Sequence, residues 1–293
     1  MRIAIVGIGY QGLVAGTCLA ENGHQVVCVD TREDRITLLN QGRLPIHEPG
    51  LDELVNRNIE EERLSFTTDL DAALEDRLMV FLCVGTPTAD DGSADISQVL
   101  EAARQVARAM DGYRIIVNKS TCPPGSAAEL ERAVAETTEH PFDIVVNPDF
   151  IKEGSAVDDF MRPDRVVVGC TDVRVREIMR ELYSPFLRTG KPLLTMSPRS
   201  AEMTKYAVNA MLAARISLMN QIADVCEACG ADIGEVREGV AADYRIGPAF
   251  LFPGLGFGGS GLPKDLATTI KLARDNNVPA NLFEAVRDVN ERR

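Results

Sequence analysis

Six short runs of β-branched and other apolar residues recur through the first half of the chain: Arg2–Val6, Gln25–Val29, Leu78–Val84, Arg114–Asn118, Asp143–Val146 and Arg165–Val168. Amphipathic stretches with helical spacing, such as Ile96–Met110 and Ser126–Thr137, lie between several of them. Strands that alternate with helices of that length need right-handed crossovers, so they build a parallel sheet with helices on both faces. Burial on both sides asks for continuous apolar strands, and that is how these runs read. The expected fold is therefore α/β, a doubly wound Rossmann-like parallel sheet.

After about Ser197 the strand signals stop. Ala201–Cys229 carries apolar residues at helical spacing until Gly230 offers a stop. Ile233–Gly239 reads as a short helix, Pro248–Gly261 as an irregular loop rich in Gly and Pro, and Pro263–Asp275 and Asn281–Arg292 as two further helices. The chain of 293 residues thus divides into a sheet domain, 1–196, and an all-helical domain, 197–293, a length that suits two domains.

Composition narrows the partners. Lys and Arg number 31 against 44 Asp and Glu, a net charge of -13 that repels polyanions, so nucleic acid is not expected as a ligand. An anionic ligand must then be held by local donors. Cys18, Cys28, Cys83, Cys122, Cys170, Cys226 and Cys229 form an odd, scattered set without a disulfide framework, which suits a reducing, cytoplasmic setting. No window approaches a membrane span, and the Gly-rich N-terminus does not read as a signal peptide, so neither is expected. Cys226 and Cys229 lie late in a helix with no second Cys/His pair, so two buried thiols are expected there and no metal site.

Local donors are supplied by Gly7-Ile8-Gly9-Tyr10-Gln11-Gly12, which follows a strand and opens a helix. Gly7 permits the tight turn, Gly9 lets a pyrophosphate approach the backbone, and Gly12 lets helix and strand pack closely. The helix N-terminus presents free N–H groups and a partial positive charge to the diphosphate. Asp30 ends the second strand, where a carboxylate accepts hydrogen bonds from ribose hydroxyls and repels the extra phosphate of NADP. NAD is the expected cofactor. Arg35 lies five residues beyond Asp30, on a helix where an arginine is ordinarily solvated, and is the less secure member of this set.

Further along the chain come Pro45-Ile46-His47-Glu48-Pro49-Gly50-Leu51, Cys83-Val84-Gly85-Thr86-Pro87-Thr88, Lys119-Ser120-Thr121, Asn147-Pro148-Asp149-Phe150-Ile151-Lys152-Glu153-Gly154, Lys205 with Asn209, Gly256-Phe257-Gly258-Gly259-Ser260-Gly261-Leu262-Pro263-Lys264-Asp265 and Val289-Asn290-Glu291-Arg292. In this order they resemble the UDP-glucose/GDP-mannose dehydrogenase family over the whole chain. Glu153-Gly154-Ser155-Ala156 and Tyr244-Arg245-Ile246-Gly247-Pro248 look nearer to its UDP-glucose branch. The resemblance implies an NAD-dependent oxidoreductase that takes C6 of a UDP-sugar, UDP-glucose, from alcohol to carboxylate through an aldehyde and a cysteine thioester. It also implies a homodimer that pairs through the central helices.

Such chemistry needs a base, a cation for the oxyanion, a nucleophile for the aldehyde and a carboxylate to activate water. Lys205 and Asn209 are four apart on one helix and share a face, so an ammonium and an amide can converge on one oxygen; by resemblance they stabilise the alkoxide. Read without the resemblance, Lys205 is a snorkelling surface lysine. The resemblance further implies that Thr121 holds a catalytic water, Glu153 takes part in acid–base chemistry beside the nicotinamide, and Asp265 positions water and catalytic groups. It places Tyr10, Gln11, Val84, Gly85, Thr86, Ser120, Thr121, Glu153 and Lys264 at the cofactor, and Phe150, Ile151, Lys152, Glu153, Lys205, Asn209, Arg245, Phe250 and Gly256 at the substrate.

Two positions depart from the family pattern. Asp149 stands where Glu is usual, shortening the carboxylate by about 1.5 Å of reach, and near-attack geometry is sensitive on that scale. Gly261 stands at the nucleophilic cysteine and has no side chain, so the thioester cannot form there. An engineered replacement, a natural member with altered chemistry and a sequence error all account for it. Cys122, next to Thr121 on an extended segment, faces the other way and does not substitute. Family proteins usually continue past the last helix into a domain that grips the nucleotide, whereas this chain stops at Arg293, so weak sugar-nucleotide binding is expected. Two other classes fit the same residues, a non-catalytic NAD-binding protein and an alcohol dehydrogenase that halts at the aldehyde. A 2-hydroxyacid dehydrogenase fits less well, since His24, His47 and His140 have no fitting acid partner.

Overall fold

In the computed structural model, which describes residues 1–187 and 190–293, the chain runs β1 (Arg2–Val6), α1 (Tyr10–Glu21), β2 (Gln25–Val29), α2 (Glu33–Asn40), α3 (Leu51–Glu60), β3 (Leu64–Thr67), α4 (Leu70–Leu74), β4 (Met79–Leu82), α5 (Ser97–Ala109) and β5 (Arg114–Asn118). It continues through α6 (Ser126–Ala135), β6 (Phe142–Val146), α7 (Ala156–Met161), β7 (Val166–Gly169), α8 (Val173–Tyr183), β8 (Leu193–Met196), α9 (Pro198–Cys229), α10 (Ile233–Ala241), α11 (Leu262–Asp275) and α12 (Asn281–Glu291).

The strands form one sheet in the order β3-β2-β1-β4-β5-β6-β7-β8. All pairings are parallel except β6 with β7, which meet antiparallel at Val146 and Gly169. The α/β expectation holds, and the wholly parallel one is corrected at that pair. Two strands escape the sequence reading, β3 and β8. Each is four residues long and lies at a sheet edge, and β8 is only partly covered, so neither needs the continuous apolar run that marks a central strand. The expected strand Leu78–Val84 is shorter, because Cys83 and Val84 leave the sheet to pack against the turn after β1.

Alternation along each strand separates two cores. Ile3 and Ile5 of β1 join Leu13, Leu19, Met79 and Phe81 on one face, while Ala4 and Val6 join Val80, Leu82, Val106 and Leu130 on the other. The order turns back between β1 and β4, and in open parallel sheets ligands bind in the crevice beyond the strand ends at such a point.

By compactness the chain forms two units, Met1–Thr86 with Ile96–Met203, and Pro87–Asp95 with Thr204–Arg293. The second unit is helical around Ala213, Leu266, Ile270, Ala280 and Val286, with Phe257 and Phe283 against them. None of the seven cysteines is bridged. Cys226 is buried as expected, but Cys229 is exposed: it is the last residue of α9, where Gly230 in the left-handed region ends the helix. Among the described residues no helix is long and apolar enough to cross a membrane.

Candidate active site

The dinucleotide turn is built by contact. A Cβ on Gly7, which has φ +94°, would lie 2.8 Å from the carbonyl oxygen of Cys83, and one on Gly12 would collide with the carbonyl of Gly7. A Cβ on Gly9 meets nothing within 4 Å. The outer glycines are therefore fixed by protein packing, whereas the middle one opens onto free space at the N-terminus of α1, whose first N–H groups have no helical partner. A groove of about 500 Å³ begins there, lined by Gly7, Gly9, Asp30, Arg35, Val84 and Gly85 among others. Its size suits a ligand site.

Asp30 closes this turn. Its Oδ2 accepts from the Ile8 N–H and from Arg35 Nη1, each at 2.9 Å, and its Oδ1 accepts from the Arg32 N–H at 3.0 Å. Arg35 also donates to the Ile8 carbonyl at 3.0 Å, so it is held in the site instead of solvated, as a helical arginine would ordinarily be. Three donors leave the carboxylate room for a ribose hydroxyl. Ser120 donates to the carbonyls of Val84 at 2.8 Å and Leu82 at 3.3 Å, fixing the turn after β4. Thr86 is buried and Thr121 half-buried. Cys83 and Cys122 are both buried; burial pushes the Cys83 thiol up to about 12, and Cys122 packs beside Leu130. Neither is poised as a nucleophile.

The segment 147–155 carries Asp149 and Glu153 and has no helix or strand of its own. Asn147 Oδ1 accepts from the Tyr183 hydroxyl at 2.5 Å and Lys119 Nζ at 3.3 Å, and its Nδ2 donates to the Val167 carbonyl at 2.9 Å. The Arg165 guanidinium stacks on Phe150 at 3.6 Å, Ile151 packs against the core, and Lys152 pairs with Asp159 at 2.5 Å. Asp149 is half-buried and Glu153 exposed. Sequence reasoning gave no role to Glu48, which is only 3 % exposed. Its Oε2 accepts from the Tyr10 hydroxyl and from the Gly154 N–H at 2.8 Å, and its Oε1 from the Ala156 N–H at 2.8 Å. The sole signal was the motif around it, because partners 38 and 106 residues away leave no periodicity.

The second unit gathers the remaining acid, amide and lysines. Lys205 and Asn209 stand one turn apart on α9. Asn209 Nδ2 donates to Asp265 Oδ2 at 2.5 Å, and Lys264 Nζ lies 2.8 Å from Asp265 Oδ1. Asp265 is 1 % exposed and Asn209 is buried. Pro263 at the start of α11 pre-sets the helical turn that places Asp265 one turn after Gly261, whose carbonyl accepts the Asp265 N–H at 2.9 Å. Gly261 caps α11 with φ −102°, and a Cβ there meets nothing within 4 Å. A side chain at 261 thus fits without strain, at a helix N-terminus that favours an anion.

Other expected substrate residues have internal partners. Arg245 pairs with Asp243 at 2.6 Å. Gly256 has φ +91° and its Cβ would lie 2.6 Å from Asn290 Oδ1, which accepts the Phe257 N–H at 2.7 Å. Phe250 adopts φ +60°, uncommon for a bulky residue.

Residues 1–187 match the NAD binding domain of the UDP-glucose/GDP-mannose dehydrogenase family, and residues 199–292 match its central domain. The chain belongs to this family. Relatives in it include a UDP-glucose 6-dehydrogenase from Rhizobium meliloti, 46% identical over all of this chain and 68% of its own length. A UDP-glucose 6-dehydrogenase from Bacillus subtilis is 43% identical over 99% of this chain and 63% of its own. The structure of a UDP-glucose dehydrogenase from Pyrobaculum islandicum superposes with a TM-score of 0.95 at 39% identity, covering 99% of this chain and 68% of that one. The chain thus spans about two thirds of the length of these relatives. Membership makes it a sequence of an NAD-dependent oxidoreductase family, and the open face of Gly9 with the carboxylate of Asp30 fits that cofactor.

Proposed function

We propose that the chain oxidises the C6 hydroxyl of a UDP-sugar, UDP-glucose in the first place, with NAD as oxidant, towards UDP-glucuronate. The observation that carries this reading is Asp265, buried at 1 % exposure and holding the amide of Asn209 from 56 residues away, one turn after Gly261. NAD held there would supply the acceptor for the hydride of C6. Gly9, Tyr10, Gln11 and Gly12 offer backbone donors and clearance for its diphosphate, Gly7 the turn that presents them, Asp30 and Arg35 its ribose contacts, and Val84, Gly85, Thr86, Ser120 and Lys264 complete the cofactor set.

Lys205 and Asn209 stabilise the C6 oxygen as its proton leaves. Asp265 accepts one amide hydrogen of Asn209 and so leaves the other to be presented to that oxygen. Glu153 and Asp149 handle protons and Thr121 orients water. Phe150, Ile151, Lys152, Arg245, Phe250 and Gly256 shape the sugar-nucleotide contacts. Asp30 facing the ribose favours NAD over NADP.

Gly261 offers no thiol, so the chain stops at the aldehyde or serves as a non-catalytic NAD-binding member. The burial of Cys83 and Cys122 leaves neither as a replacement thiol, which fits both outcomes. A homodimer is part of the proposal: Met211, Leu218 and Val225 of α9, 65 %, 60 % and 58 % exposed, recur at seven-residue intervals on one face. Seven unbridged cysteines suit a cytoplasmic location.

The test compares NADH formation from UDP-glucose by the chain and by Gly261→Cys, with mass analysis of the sugar. The expected result is UDP-glucuronate and two NADH per sugar from the cysteine variant alone. A folded, NAD-binding Gly261→Cys that forms no product overturns the catalytic reading in favour of the non-catalytic one.

A further inference from the structure

The stretch that carries Glu153 is held by two acids outside it. At one end Asp159 accepts from the Lys152 N–H at 2.9 Å and the Ser155 hydroxyl at 3.2 Å. At the other, Glu48 accepts from the N–H groups of Gly154 and Ala156. The Gly154 N–H belongs to the peptide that directly follows Glu153, and it also lies 3.1 Å from the Tyr10 hydroxyl. Tyr10 is the first residue of α1 and part of the dinucleotide turn. Three donors from two distant segments therefore converge on one buried carboxylate, which has no Lys, Arg or His partner among the described residues.

We propose that Glu48 is a positioning residue for Glu153, clamping the peptide behind it to the tyrosine of the cofactor turn. The inference rests on the acid–base role given to Glu153 above. Glu153 is exposed, and the backbone on either side of it is held by these two acids. Only a carboxylate suits the junction, since its two oxygens accept from all three donors, whereas a Gln offers one oxygen and turns an amide N–H toward a donor. Burial opposes the charge on Glu48, yet the hydrogen bonds from Tyr10, Gly154 and Ala156, with the nearby Val157 N–H, bring its carboxyl below the ordinary range. Burial, then the bond to Glu48, with a further push from Glu153, raises the Tyr10 hydroxyl to about 12.

The test is Glu48→Gln, in this chain and in Gly261→Cys. Amide hydrogen exchange at Gly154 and Ala156 should rise at least tenfold while β1, β4 and β5 keep their protection. One of the five tyrosines should titrate at lower pH by tyrosinate absorbance, with Tyr10→Phe identifying it. In the Gly261→Cys background kcat should fall on the order of 10–100-fold, by more than any rise in KM for NAD. Unchanged exchange at Gly154 and Ala156, an unmoved tyrosine, or a change in KM for NAD as large as that in kcat each overturns the clamp. If Gly261→Cys itself is silent, the catalytic reading has failed, and exchange and titration still decide the clamp. Should Glu48→Gln not fold, Tyr10→Phe removes one donor and keeps the carboxylate; faster exchange confined to Gly154 supports the proposal, and none overturns it.

Discussion

In the first unit the central strands put Ile3, Ile5, Met79, Phe81, Ile115 and Val117 out of water on one face and Ala4, Val80, Leu82 and Ile116 on the other, whereas the second unit clusters Ala213, Leu266, Ile270, Ala280 and Val286 and leaves Met211, Leu218, Val225, Leu255 and Leu282 in solvent. The contrast follows from the elements. A parallel sheet covered on both faces completes its core within one chain. A helix buries one stripe, and a second apolar stripe stays exposed until something covers it. The functional groups follow the same division: in the first unit backbone turns open onto a groove, and in the second a buried acid orders an amide and a lysine.

The largest expected effect probes the tight turn of the first unit. Gly12→Val drives a side chain into the carbonyl of Gly7 and should cost about 3 kcal/mol, read by chemical denaturation. Gly9→Ala, whose Cβ faces open space, should change stability by less than about 0.5 kcal/mol while lowering NAD affinity at least tenfold. Equal stability losses at the two positions would break the distinction between a packing glycine and a ligand-facing one.

Next in size is Asp265→Ala, which removes the carboxylate that accepts from the Asn209 amide and the Lys264 ammonium and should cost about 2–3 kcal/mol by chemical denaturation. A stability loss under 0.5 kcal/mol would mean that the acid does not order the second unit. The smallest effect on stability belongs to Leu218→Glu, on the exposed stripe of α9, at less than about 0.5 kcal/mol for the folded subunit. Sedimentation should nonetheless show a dimer becoming a monomer, and a variant that stays dimeric would assign the stripe no role in assembly.

How much of this was legible varies with the distance over which each feature is set. The central strands, the glycine turn and α9 were readable because period and spacing are local signals. The edge strands β3 and β8 were not, since a neighbouring strand and not their own composition makes them strands. Arg35 was the less secure member of the cofactor set because a helical arginine is ordinarily solvated, and the Asp30 carboxylate with the Ile8 carbonyl holds it at the turn. Cys229 was read as buried from its place late in a helix without a second Cys/His pair, but as the last residue of α9 it is exposed.

The sequence by itself determined the alternation that makes a parallel sheet, the turn with its middle glycine free, and the absence of a side chain at 261, all properties of neighbouring residues. Only the tertiary structure decided that Asp265 holds Asn209 and that Glu48 joins Tyr10 to Gly154. The reason is that a buried carboxylate must gather its donors from whatever packs around it, and those donors come from segments the chain brings together only when it folds.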